Sequence, residues 1–126
     1  MIEAAIRYEL EKSTGDLTSA DLGKVTKLTI AESKLTDVKD LEKLPALKSL
    51  VINDKNLTKL PTGLGELQKL EDLDLSMCKL TELKGLEKLT QLKHLWITGN
   101  PDLTKAQIDQ LQKALPKCFI HSNPTK

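Results

Sequence analysis

His94, Asp72 and Asp74 are the side chains in this 126-residue chain whose types and spacing first suggest chemistry. An imidazole with two carboxylates is the beginning of a zinc site or of a general acid–base pair. His94 follows Asp72 by 22 residues, and Trp96 follows Asp74 by the same interval. An element repeating at that period would bring them side by side. Three ligands on an open surface, without a fourth partner or a pocket, are more simply a solvated ion pair, so neither metal nor cofactor is expected. Nucleophilic catalysis has less support still. Cys78 falls in an apolar slot, and Ser76 has no histidine at matching height on a neighbouring element. Gly63-Leu64-Gly65 is a turn between two core leucines, not a strand-to-helix phosphate loop. No catalytic residues are assigned, and the chain is not expected to be an enzyme.

The elements that position these residues repeat. Val25, Leu47, Leu70 and Leu92 each begin an apolar-x-x-apolar-x-apolar run, at intervals of 22, 23 and 22 residues. A period of about 20–29 residues denotes one supersecondary unit stacked on its neighbours. The first half of each unit, such as Leu47-Lys48-Ser49-Leu50-Val51-Ile52, alternates at period two and predicts a short strand. Strands joined the same way each time stack in parallel. The returning halves carry leucines about three apart, as in Leu80, Leu83, Leu86 and Leu89, which suits a tight helical turn or an extended arc better than an α-helix.

The flanks lack this spacing. Residues 1–24 hold an apolar helical stripe, Ile2, Ala5, Ile6 and Leu10, followed by a second short helical turn from Ser19 to Gly23 that opens on Thr18 and Asp21. Residues 104–126 start with a capping box, Thr104 and Gln107, and continue with Ile108, Leu111 and Leu115 on one helix face before Pro116. Phe119-Ile120-His121 then either adds an edge strand or folds over the last one. The expected organisation is one domain over 1–126, with an N-terminal helical cap at 1–24, four repeats at 25–103 and a C-terminal cap at 104–126.

Composition narrows the partners. There are 19 basic and 18 acidic residues, and Arg7 is the single arginine. Bidentate phosphate and base recognition leans on arginine, so nucleic acid is not expected. No run approaches the ~18 apolar residues of a membrane span, and membrane insertion is not expected either. The acidic, amphipathic start does not read as a signal peptide. With Cys78 and Cys118 expected to be free thiols, this favours the cytoplasm.

The spacing L-x-x-L-x-L-x-x-N-x-L resembles that of the leucine-rich repeat proteins over residues 25–103. Units one and three are similar to the 22-residue repeats of bacterial internalins. Unit two, with Leu60-Pro61 and Leu64-Gly65, is similar to a 23-residue class. The resemblance implies an α/β leucine-rich repeat solenoid, a right-handed horseshoe with short parallel strands on its concave face and helical caps at both ends. It also implies a monomeric, non-enzymatic module that binds a protein or peptide on that face; the alternative is an assembly unit that self-associates through its edges or caps. At the ninth position, where the family carries asparagine, stand Ser33, Lys55, Cys78 and Asn100. Lysine cannot accept a hydrogen bond. Either Lys55 points outward from a distorted turn, or Asn53 or Asn56 serves in its place, and unit two should be the least regular.

In register, the outward positions form columns: Lys27, Ser49, Asp72 and His94; Thr29, Val51, Asp74 and Trp96; Ala31, Asn53, Ser76 and Thr98; Glu32, Asp54, Met77 and Gly99. The expected partner-binding set is Trp96, Asp74, Asp72, Val51, Met77, His94, Asn53 and Asp54. Trp96 leads it, because Leu95 and Ile97 turn inward and tryptophan anchors are enriched in hot spots. The other reading of Trp96 is a ring folded flat over the last strand as part of the cap.

Overall fold

A computed structural model describes residues 2–30, 39–60 and 63–122. Ala31, Glu32 and Ser33 of the first unit, its return as far as Val38, and Pro61 of unit two lie outside the described residues. So does the side chain of Ile2.

Each period-two run forms a strand: β1 (Lys27–Ile30), β2 (Ser49–Ile52), β3 (Asp72–Asp74) and β4 (His94–Trp96). They lie in sequence order in one parallel sheet, with β5 (Phe119–His121) added beyond β4. The segment after Pro116 therefore supplies a fifth strand rather than merely folding over the fourth. Alternation sorts the side chains. Leu28, Ile30, Leu50, Ile52, Leu73, Leu75 and Leu95 are fully buried, while the residues between them face outward.

The returns use short 3₁₀ turns at Lys39–Lys43, Leu64–Glu66 and Leu86–Lys88. Leu64 and Leu86 plug the core from this side, with Leu41, Leu44, Leu83 and Leu89 also buried. The second and third turns are each entered through a left-handed residue, Gly63 at φ 91° and Gly85 at φ 107°, a conformation that costs a Cβ-bearing residue about 1 kcal/mol or more. These two glycines are 22 residues apart although their units start 23 apart. The additional residue of unit two thus falls before Gly63, and the two returns coincide from that point on.

Helix α1 (Ile2–Leu10) packs on β1, with Ile6 buried and Ala5 and Leu10 partly so. Arg7 is used internally. Its guanidinium donates to the carbonyls of Lys12 (3.3 Å) and Gly15 (2.9 Å), tying down the turn that leaves the helix. Helix α2 (Ser19–Leu22) carries the expected capping box, Thr18 with Asp21. Lys12 Nζ reaches Asp21 at 2.8 Å. That contact, with the Thr18 amide donating to the same carboxylate, lowers the Asp21 pKa to about 2. At the other end α3 (Lys105–Ala114) follows its own capping box, Thr104 with Gln107, and buries Ile108 and Leu111. Gln107 also donates to the Thr81 carbonyl at 2.9 Å, fastening α3 to unit three. Cys78 and Cys118 are free and buried, and burial raises both thiol pKa values.

Deleting residues 1–24 uncovers Val25, Leu28 and Ile30, each worth ~1.5–3 kcal/mol when buried. The shortened chain should aggregate or lose its cooperative melt by circular dichroism; an unchanged melting temperature would show that α1 covers nothing. Asp21 supplies a pH signature. Its folded pKa is depressed, so its contribution is complete above the ordinary value near ~3.9 and is lost as pH falls through about 2. Stability curves of wild type and Asp21→Asn should run parallel above about pH 5 and converge between about pH 4 and 2.

Candidate functional site

The outward face of the sheet, the expected concave face, is built by strand register. Across it run two rows: Lys27, Ser49, Asp72, His94 and Phe119, and Thr29, Val51, Asp74, Trp96 and His121. The first four members of each row are those the repeat spacing predicts. Trp96 stands outward and is 39 % exposed. It is also stacked on His121, ring centroids 3.6 Å apart and planes within 4°. Trp96 therefore combines its two readings: one face rests on the last strand and the rest of the ring stays open.

Phe119 and His121 enlarge the site beyond the repeats. Phe119 is 61 % exposed and stacks on His121 at 4.4 Å. His94 Nδ1 meets His121 Nε2 at 3.5 Å, so His94 is engaged by the neighbouring histidine. The four rings form a two-by-two block on β4 and β5. The signal for it is present in the sequence, because Phe119-Ile120-His121 places rings on either side of an inward residue as His94-Leu95-Trp96 does. Without repeat spacing, nothing in the sequence tied the second tripeptide to the first.

The carboxylates sit one strand away. Asp72 and Asp74 are half-buried on β3. Asp74 Oδ1 accepts from the Ser76 amide at 2.9 Å, a local turn that holds the chain as it leaves the strand. Among the described residues no group of three His, Cys, Asp or Glu side chains is arranged to hold a metal ion. No helix among them is long and apolar enough to cross a membrane.

Beyond the strands, Met77 is 67 % exposed and takes a left-handed backbone, φ 61°, with its amide donating to Thr98 at 2.8 Å. Gly99 follows in the next unit at φ 77°. A Cβ there would lie 3.2 Å from the Met77 backbone nitrogen and would displace the mobile Met77 Sδ, so the left-handed backbone and this close approach both favour glycine. Val51 is half-buried between Thr29 and Asp74, and Asn53 is exposed at the end of β2.

Asp54 corrects the expected set. It is not on the surface plate but 3 % exposed, and its Oδ1 accepts from the Asn56 amide at 3.0 Å. Asp54 thus enters the interior slot that Lys55 cannot fill, while Lys55, Asn53 and Asn56 all stay outside. The physical reason is acceptor chemistry: the turn presents backbone amides, and the adjacent carboxylate can accept from them. In unit four the family residue is in place. Asn100 donates to the carbonyls of Leu75 (2.9 Å) and Ile97 (3.0 Å) and accepts from the Leu80 amide (3.0 Å), bridging units three and four. Cys78 holds the same slot in unit three with longer contacts to Ile52 O (3.7 Å) and Ser76 O (3.8 Å).

A family description of leucine-rich repeats, in two copies, matches residues 68–113. Among solved structures, the fold is similar to an internalin of Listeria monocytogenes at 24 % identity and TM-score 0.71, with 94 % of this chain and 34 % of that one covered. A leucine-rich repeat protein of Leptospira interrogans matches at 29 % identity and TM-score 0.65, over 85 % of this chain and 28 % of the other. Internalin C2 of Listeria monocytogenes matches at 22 % identity and TM-score 0.72, over 99 % and 56 %. No curated protein matches the sequence. Residues 68–113 are leucine-rich repeats, and the chain folds as a leucine-rich repeat solenoid similar to these structures. It spans 34 %, 28 % and 56 % of the lengths of those three proteins. Leucine-rich repeat proteins generally mediate protein–protein interaction.

The interior polar residues give a graded test by urea denaturation. Asn100→Ala strands three buried backbone groups, at a cost of about 2–3 kcal/mol. Asp54→Ala should also destabilise, by about 1 kcal/mol or more. Lys55→Ala should stay within about 0.5 kcal/mol. If Lys55→Ala cost more than Asp54→Ala, the assignment of the slot would be wrong.

Proposed function

We propose that this chain is a non-enzymatic module that binds a protein or peptide on the concave strand face, with Trp96 as the central anchor. The carrying observation is the block of His94, Trp96, Phe119 and His121, partly open to solvent at one end of an otherwise polar plate. Rigid rings with large area and few rotatable bonds are the usual hot-spot material. Asp72, Asp74, Val51 and Met77 flank the block, and Asn53 lies at the margin. A face of five strands is only about 20 Å along the stack at ~4.8 Å per strand. Affinity on so small a plate must come from a few anchors rather than from area.

Trp96→Ala should cost stability only modestly, since what it removes is a stacked surface pair worth ~0.5–1.5 kcal/mol plus partial burial. Retention of partners from a bacterial lysate on the immobilised chain should nonetheless drop at least about thirtyfold in affinity. Trp96 fluorescence should be quenchable by acrylamide in the free protein and protected in the complex. Equal capture by wild type and Trp96→Ala would remove the concave face from the function.

A further inference from the structure

We propose that the concave face holds a specific seat for a cationic side chain, and that the partner presents an arginine there. This rests on the reading of the concave face as a binding surface, and it names the chemistry that surface selects. His121 lies on β5 and covers one face of the Trp96 indole in near-parallel contact. The opposite face is therefore turned toward β3, whose register partner for Trp96 is Asp74. His94 is the register partner of Asp72, one pleat along the strand. An aspartate side chain is much shorter than an indole. The surface thus drops in a step, with an aromatic wall on β4 and β5 and a carboxylate floor on β3. Beyond the floor Ser49 and Val51 keep it low and uncharged.

Among the described residues neither Asp72 nor Asp74 takes part in an ion pair. One position before the floor, Lys93 is paired with Glu71 at 3.3 Å, and Lys48 flanks Glu71 on the other side, with its carbonyl accepting from the Asp72 amide. Lys27 stands two strands from Asp72, about 10 Å away. Asp72 and Asp74 are two apart on one strand, so both carboxylates face the same side. A guanidinium matches this step in shape and charge. Its plane stacks on the exposed indole face as a cation–π contact, and its edge donates to the carboxylates below, with the Asp74 oxygen not held by Ser76 free to accept. An ammonium could supply the charge but not the planar stack.

The test uses the intact chain and an acetylated, amidated pentapeptide, Gly-Gly-Arg-Gly-Gly. Its isostere carries citrulline, which has the same shape and no charge. Trp96 is the single tryptophan, so its emission reports directly. The arginine peptide should perturb that emission with a dissociation constant at least about tenfold below that of the citrulline peptide, a margin within reach of one cation–π contact and one charged hydrogen bond. The double variant Asp72→Asn, Asp74→Asn keeps an oxygen for the Ser76 amide while removing both charges, and it should erase that difference. Equal binding of both peptides, unaltered preference in the double variant, or a response to a neutral oligosaccharide such as chitotetraose in place of the arginine peptide would each overturn the proposal. The two readings fail separately. Capture that depends on Trp96 but not on Asp72 and Asp74 would leave the binding face standing and remove the cation seat.

Discussion

The amide of the third residue in each unit donates to the carbonyl of the second residue one unit back. Ser49 donates to Thr26, Asp72 to Lys48 and His94 to Glu71, each at 3.0 Å, and Phe119 donates to Lys93 at 2.8 Å. This bond, repeated at one level of the molecule, locks every strand in the same register. A slip of a single residue would turn each leucine outward and each charged residue into the core. Everything else follows from that constraint: the leucines form a continuous interior and the outward residues form rows.

Register also explains how much of the molecule was legible in its sequence. The first four members of each row could be read by counting, because the core leucines leave no other alignment. The compact returns were legible too, since leucines three apart are compatible with 3₁₀ geometry and not with a long α-helix. Asp54 was hidden because counting assigns the interior slot to Lys55. The chain instead buries the adjacent residue that can accept hydrogen bonds, a choice made by polar satisfaction and invisible to hydrophobic spacing. The pairing of Trp96 with His121 was hidden for another reason. It joins a repeat to a segment outside the repeats, and only the backbone path after α3 places them on neighbouring strands.

The site and the core draw on separate residues of the same strands. Leu95 is fully buried between His94 and Trp96, which both face out. Outward substitutions leave the leucine interior unchanged, and this is how one scaffold presents different surfaces. The separation is incomplete where the turn needs a side chain. Asp74 supports the backbone after β3 while presenting charge to the outward face of the sheet, and Gly99 is favoured by its left-handed backbone and the close approach of the Met77 backbone.

The position of the aromatic block has a thermodynamic consequence of its own. A solenoid unit touches only its immediate neighbours, so its terminal strands open at lower free energy than its middle ones. β5 is such a strand, three residues long and bonded on one side only. When it frays, His121 and Phe119 leave with it, and Trp96 loses the ring that holds it upright. Local opening of this end and loss of the proposed recognition surface are then a single event. A partner bound on the rings, as proposed, would clasp the last strand to the sheet, and amide exchange at residues 119–121 would slow before the global stability of the fold changed.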